Sequence, residues 1–378
     1  MPPFPSPVRK VGAPLAAIIA LGTLTALILT LLTAVNPGGA VLGFALATTA
    51  MAVVLTCYLW LDRWEPEPPR LLIMAFLWGA SIAVLGSILL SLLVDTALNG
   101  GAAGEAPADF ATVAVAAPII EEAAKGLFLL LMMTGHRRTE LNTLTDCLVY
   151  AGLVGAGFAW MENIFYISGG ETVGGSLAIA GLRLVLGPFA HPLFTSMFAI
   201  GVFFALQQRS AVAKASCLLL GYVAAVLMHG LWNGSALLGA GTYLGVYVLW
   251  MMPVFGLSVA LAIGSRRREQ RIVHAQLPAM VGGGLIGPAD AAWLGSLRAR
   301  KLAVGAAVRH GGRPAGSAVK RFALQTVELA YVRDRIDRGF GDRRLFALQQ
   351  DEAYRVAASR AAAGPVLAQL SGYRFPVR

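Results

Sequence analysis

The sequence predicts an all-α, polytopic membrane protein: about eight transmembrane helices followed by a helical cytoplasmic C-terminal tail. Three observations predict it. Of 378 residues, 57% are hydrophobic and only 13% are charged, about half the charged fraction of a soluble domain. Apolar runs of about 20 residues recur along the first 264 positions, each long enough to cross a bilayer. Charge is split between two parts of the chain. Residues 1–264 hold 10 Lys and Arg against 12 Asp and Glu, net −2; residues 265–378 hold 20 against 8, net +12. Residues 1–264 therefore read as a transmembrane domain and 265–378 as a basic helical tail, lying in the cytoplasm where positive residues are retained.

In chain order, Met1–Lys10 is Pro-rich and places Arg9 and Lys10 before the first apolar run, Val11 to Val35. That run is longer than a signal-peptide core and lacks a small-residue cleavage site, so it is the first span, with its N-terminus inside. The Asn36-Pro37-Gly38 turn precedes the second span, Gly39 to Trp60. Asp62–Arg70 is charged and its prolines keep a helix from crossing it. The third span runs from Leu71 to Leu98, and Gly100–Asp109 reads as an acidic external loop. The fourth, Thr112 to Met133, ends before His136-Arg137-Arg138; the fifth covers Asp146 to Ile167. Gly169–Gly181 reads as a Gly-rich outer loop, followed by spans at Leu182–Leu206, Ala215–Leu238 and Thr242–Gly264, the last stopping at Arg266-Arg267-Arg268. This register puts Arg63, Arg70, Arg137, Arg138, Arg209, Lys214 and the Arg266 cluster inside, and only Arg183 outside.

The tail has a helix start at Pro288-Ala289-Asp290, apolar residues at helical spacing through Leu302, and further amphipathic stretches at Ser317–Arg338 and Arg343–Ala363 around a break at Gly311–Gly316. Its Arg-rich faces suit an anionic lipid surface, each Arg contributing about 1 kcal/mol. No nucleic-acid reading motif is present. Cys57, Cys147 and Cys217 fall in or beside apolar spans without metal-site spacing and read as small buried residues. His136, His274 and His310 are Arg-flanked and read as surface groups.

Chemistry is expected inside the membrane domain. Glu121, Glu122 and Lys125 interrupt the fourth span, where each charge costs several kcal/mol unless it faces a bundle interior. Lys125 is four residues after Glu121 and three after Glu122, so it shares their face. Glu162, His191 and His229 lie at a similar depth, roughly 8–15 Å below the outer surface at 1.5 Å per residue. Singly, each has an ordinary explanation: an ion pair, a snorkelling carboxylate, a hydrogen-bonded core histidine. Four helices placing ionisable groups in one layer instead suit a shared polar cavity. Two His and one carboxylate, here Glu162, His191 and His229, match the ligand set of catalytic zinc sites. A second carboxylate then serves as base on the bound water. Consecutive Glu residues point about 100° apart, so one of Glu121 and Glu122 takes that role; Glu121 is favoured, with Glu122 and Lys125 in support. Asn233, one helical turn after His229, can donate its amide to a developing oxyanion. The implied reaction is hydrolysis of a peptide bond within or at the edge of the membrane.

The motifs Glu121-Glu122-Ala-Ala-Lys125, Phe158-Ala-Trp-Met-Glu162-Asn163, His191 and His229-Gly-Leu-Trp232-Asn233 resemble those of the PrsW family of intramembrane proteases, within the larger group of CAAX-processing endopeptidases and Abi-type membrane proteins. Asp62–Pro68 resembles the loop preceding the core in many of its members. The resemblance implies cleavage of membrane-anchored proteins, in some relatives an anti-sigma factor, with Glu121 and Glu122 catalytic and His191 and His229 essential. It also implies a multi-pass protein of the cell membrane. A glutamate-only mechanism stays open beside the metal-assisted one. Two other classes stay open as well: a proton-coupled transporter, which also buries Glu and His, and a non-catalytic Abi-type scaffold.

Overall fold

The computed structural model describes residues 12–99 and 110–371. The segment Met1–Lys10, the acidic stretch Gly100–Asp109 and the side chain of His136 lie outside the described residues. Among the described residues the chain is helical, with no strand. It divides into two compact units, one formed by Val11–Asp62 and Glu67–Ala262, the other by Arg63–Pro66 and Ile263 onward.

The first unit begins with α1 (Leu15–Val35) and α2 (Pro37–Leu61), joined at Asn36. Asn36 caps α2 by accepting from the Gly39 N–H at 3.0 Å, and its amide donates to the Ser168 carbonyl at 2.7 Å. Next, α3 (Pro69–Trp78) passes through a π turn at Gly79–Ala83 into α4 (Val84–Asn99). A second π turn, Thr112–Ala116, leads into α5 (Ala117–Met132). The central helix, α6, spans Leu144–Ser168. After it come α7 (Val173–Ala180), a π turn at Gly181–Leu186, a break, and α8 (Ala190–Leu206). The unit closes with α9 (Ala211–Leu237), α10 (Ala240–Val246), a π turn at Tyr247–Met251 and α11, which runs Met252–Gly282.

Seven helical stretches among the described residues are long and apolar enough to cross a membrane. They coincide with seven of the eight expected spans. The remaining one, residues 110–132 including α5, differs by carrying Glu121, Glu122 and Lys125; at 1.5 Å per residue it is about 35 Å long, still a membrane's thickness. Leu31, Leu93, Leu220 and Leu249 are more than half exposed, as lipid-facing side chains are.

α6 is the hub. It is buried along nearly its whole length, against α2, α3, α5 and α8. A capping box starts it: Asp146 accepts from the Thr143 N–H at 2.7 Å and its own N–H donates to the Thr143 hydroxyl at 3.3 Å. Small residues let neighbours approach. A Cβ at Gly157 would stand 1.9 Å from the Phe76 carbonyl oxygen, and one at Gly155 would stand 2.7 Å from the Pro192 backbone. Close backbone contact at small residues is how membrane helices gain packing without a hydrophobic drive between them.

Several boundaries differ from the sequence reading. Gly169–Gly181 is not all loop, because Val173–Ala180 forms α7, capped by the Thr172 hydroxyl, which accepts from the Gly175 N–H at 3.0 Å. The last span does not stop at Gly264; α11 continues through Arg266–Arg268 to Gly282. Arginine ends a hydrophobic run but is itself a good helix former. Of the cysteines, Cys147 is buried, Cys217 is half-buried and Cys57 is exposed.

In the second unit α12 (Pro288–Leu294) leads into α13 (Leu297–Arg335), which pairs with α14 (Arg343–Leu370). The expected break at Gly311–Gly316 narrows to a kink at Gly311 and Gly312, where Gly312 has φ +71°, a conformation open to glycine. Trp64, from the Pro-rich 62–70 segment, joins the core of this unit with Trp293 and Phe322. Its ring stacks under the guanidinium of Arg300 at 4.5 Å, while Arg300 Nε donates to the Leu294 carbonyl at 2.6 Å. His274 and His310 are exposed.

Candidate active site

Four helices meet at one cluster. α5 presents Glu121, Glu122 and Lys125 on adjacent turns. His191 sits in the first turn of α8, straight after the break at Gly187–Phe189, where Pro192 is tolerated because no intrahelical donor is needed. His229 comes from the middle of α9. That helix is drawn onto the π turn before α5 by Gly230, whose Cβ would meet the Ala114 oxygen at 2.4 Å. It is also tied to α5 by the Tyr222 hydroxyl, which donates to the Ile119 carbonyl at 2.7 Å. Glu162 and Asn163 come from α6.

Lys125 is wholly buried. Its ammonium lies 2.7 Å from Glu122 Oε1, 3.5 Å from Glu121 Oε2 and 3.1 Å from His191 Nδ1, and 3.8 Å from the centre of the Phe158 ring. An ammonium has only donors, so Nδ1 of His191 must be accepting. The proton of the neutral ring is then on Nε2, which lies 2.7 Å from Glu162 Oε2. His229 is the reverse. Its Nδ1 lies 3.0 Å from Glu122 Oε1, which can only accept, so Nδ1 carries the proton and Nε2 keeps its lone pair. That lone pair faces Glu121 Oε2 at 3.7 Å. Two electron-rich atoms face each other there, an arrangement that suits a proton, a water or a metal ion between them.

The two carboxylates of α5 are not equivalent. Glu122 is buried and engaged by Lys125, by His229 and, at 3.4 Å, by the Thr195 hydroxyl. Glu121 keeps 14% of its side chain exposed and has only the longer contacts. A carboxylate oxygen of Glu121 and one ring nitrogen each of His191 and His229 all lie within 4.8 Å of one another. The donor set fits a metal on two further counts. Each histidine is oriented by its own carboxylate, Glu122 for His229 and Glu162 for His191, the usual outer shell of metal-bound imidazole. Formal charge also leaves room: Glu121, Glu122 and Glu162 face only Lys125 and Arg183, one negative charge in excess.

Against the expected roles, Glu121, Glu122, Lys125, His191 and His229 do come together. Glu162 reaches His191 but does not join the three-donor group; Glu121 stands there instead. The reason is Arg183, which pairs with Glu162 through Nη2 and donates from Nε to Asn163 Oδ1 at 2.7 Å. Asn233 is half-buried, and its amide donates to the Val113 carbonyl at 3.2 Å, so it ties α9 to the π turn before α5. Arg183 was absent from the expected site. Its signal in the sequence was being the single exception to the positive-inside pattern.

Known proteins resemble this chain over the helical bundle. Residues 67–258, half of the chain, match the family described as PrsW family intramembrane metalloprotease. Protease PrsW of Geobacillus kaustophilus is 26% identical over 208 residues, covering 54% of this chain and 84% of that protein. Protease PrsW of Oceanobacillus iheyensis is 26% identical over 187 residues, covering 50% and 80%. No solved structure matches. All the site residues fall inside the matched segment, and the tail falls outside it. A bundle of membrane-spanning helices, a buried Glu and His cluster within it and this match together place the chain in the PrsW family of intramembrane proteases.

Proposed function

We propose that Glu121 is the working carboxylate of this protease and that His191 and His229 serve the same reaction centre, with a membrane-anchored protein as substrate. Anti-sigma factors are among the substrates that the family resemblance implies. The observation that carries this reading is the asymmetry between the adjacent glutamates: Glu122 is buried and held at close range by Lys125 and His229, whereas Glu121 is loosely held and partly exposed. Glu121 Oε2 faces Lys125 and His229, and Oε1 is the oxygen that takes the proton from the attacking water. The same carboxylic acid then returns that proton to the departing amine. Glu122 holds the His229 ring with Nε2 toward Glu121, and Lys125 balances the charge of the pair. Phe194, stacked on His229 at 4.8 Å, and Phe158, beside His191 at 5.1 Å, limit how much water reaches the rings.

Glu121, His191 and His229 are the residues that would hold a metal. Their nitrogen and oxygen donors suit zinc. A bound metal supplies Lewis-acid polarisation of the water and of the scissile carbonyl. The protein acts in the cell membrane as a multi-pass enzyme with both termini in the cytoplasm, and no nucleic acid is involved. The deciding experiment is cleavage of a membrane-anchored reporter protein in proteoliposomes by wild type, Glu121→Gln and His229→Ala, with zinc measured in each. Loss of cleavage in both variants is expected, with loss of zinc in His229→Ala. Cleavage by Glu121→Gln at the wild-type rate would overturn the assignment.

A further inference from the structure

The segment Val173–Leu206 contains one Lys, Arg, Asp or Glu, namely Arg183. A cation in an apolar stretch is retained where it has partners, and this one has three on a single face of α6. Its Nε donates to Asn163 Oδ1 at 2.7 Å, its Nη2 pairs with Glu162, and its guanidinium stacks on the Tyr166 ring at 4.1 Å. The Glu162 oxygen that pairs with it is Oε2, the same atom that lies 2.7 Å from His191 Nε2. Arg183 stands in the π turn Gly181–Leu186, an irregularity that often marks a working segment. Four residues on, Gly187 leads into the break that sets His191 at the start of α8. A guanidinium offers a rigid planar fork, which fixes a carboxylate in direction as well as position.

We propose that Arg183 is a positioning residue of the active site: through Glu162 it fixes the tautomer and the angle of the His191 ring. The path is short: Tyr166 and Asn163 hold the guanidinium, the guanidinium holds Glu162 Oε2, and Oε2 accepts from the His191 Nε2–H. With that proton pinned, Nδ1 is the nitrogen turned toward Lys125 and the reaction centre. Glu162 thereby acts on His191 from outside the three-donor group. The proposal rests on the reading of His191 as a working residue.

The test uses full-length protein labelled with ¹⁵N-histidine in detergent micelles, the His191 signals being identified by their loss in His191→Ala. Zinc affinity is measured in parallel by competition with a chelator. In wild type the ring is the Nε2–H tautomer. Arg183→Gln is expected to give a tautomer mixture and about tenfold weaker zinc binding, the size of effect that outer-shell changes produce. Arg183→Lys, which keeps the charge but not the planar fork, is expected to recover only part of both. An unchanged His191 spectrum with zinc affinity within about twofold of wild type in Arg183→Gln overturns the proposal. If Arg183→Gln does not fold, Asn163→Ala decides, because it removes only the Nε anchor. A partial tautomer shift supports the proposal and a wild-type spectrum overturns it. Absence of zinc from wild-type protein would remove the metal from the proposed function, and the histidine spectrum would still decide the role of Arg183.

Discussion

The two units each bury a cation, and they treat it differently. In the membrane unit Lys125 has no exposed surface and meets two carboxylates, a ring nitrogen and an aromatic face. In the tail unit Arg300, also buried, donates to the Leu294 carbonyl and stacks on Trp64. The Arg300 contacts are of the kind that hold a fold together: a dipole and a ring, both fixed, neither able to take up a proton. The Lys125 contacts are made by groups that do exchange protons. Burial of charge alone therefore does not mark a site; burial beside movable protons does.

Substitutions can break or sharpen that contrast. Glu121→Gln is expected to lower the cleavage rate by about 10²–10⁴-fold, the usual contribution of a general base, with little change in unfolding. Lys125→Met leaves Glu121 and Glu122 without their cation and should cost about 3–5 kcal/mol of stability, read from denaturant unfolding in micelles. Glu122→Gln loosens the His229 ring and is expected to cost about 10–100-fold in zinc affinity or rate. Arg300→Met replaces one hydrogen bond and one stacking contact by apolar packing, an expected loss of about 1–2 kcal/mol with cleavage unchanged. Equal costs for Lys125→Met and Arg300→Met, or a loss of cleavage on Arg300→Met, would erase the distinction.

Hydropathy made the spans legible, and depth made Glu121, Glu162, His191 and His229 legible as one layer. Partner choice within that layer was not legible. Both α5 glutamates and Glu162 stand within reach of histidine, and only the side-chain directions show that Arg183 takes Glu162 while Glu121 faces the two rings. Arg183 itself was visible as a misplaced charge but had no assigned partner, because its contacts at Glu162, Asn163 and Tyr166 lie about 20 residues away across a turn. Asn233, expected as an oxyanion donor from its residue type and spacing, also donates to a backbone carbonyl of the π turn Thr112–Ala116, a contact that spacing did not reveal. Helix ends were misjudged at α7, where glycine content was read as loop, and at the arginines of α11, where charge was read as a stop.

The one-turn spacing of Lys125 from Glu121 and Glu122 has a consequence for biogenesis. Two acidic residues on a membrane-spanning helix are costly to bury unless a partner offsets them. Here a cation is encoded one turn away on the same helix, so part of that charge is offset while the segment enters lipid and assembles with the other spans.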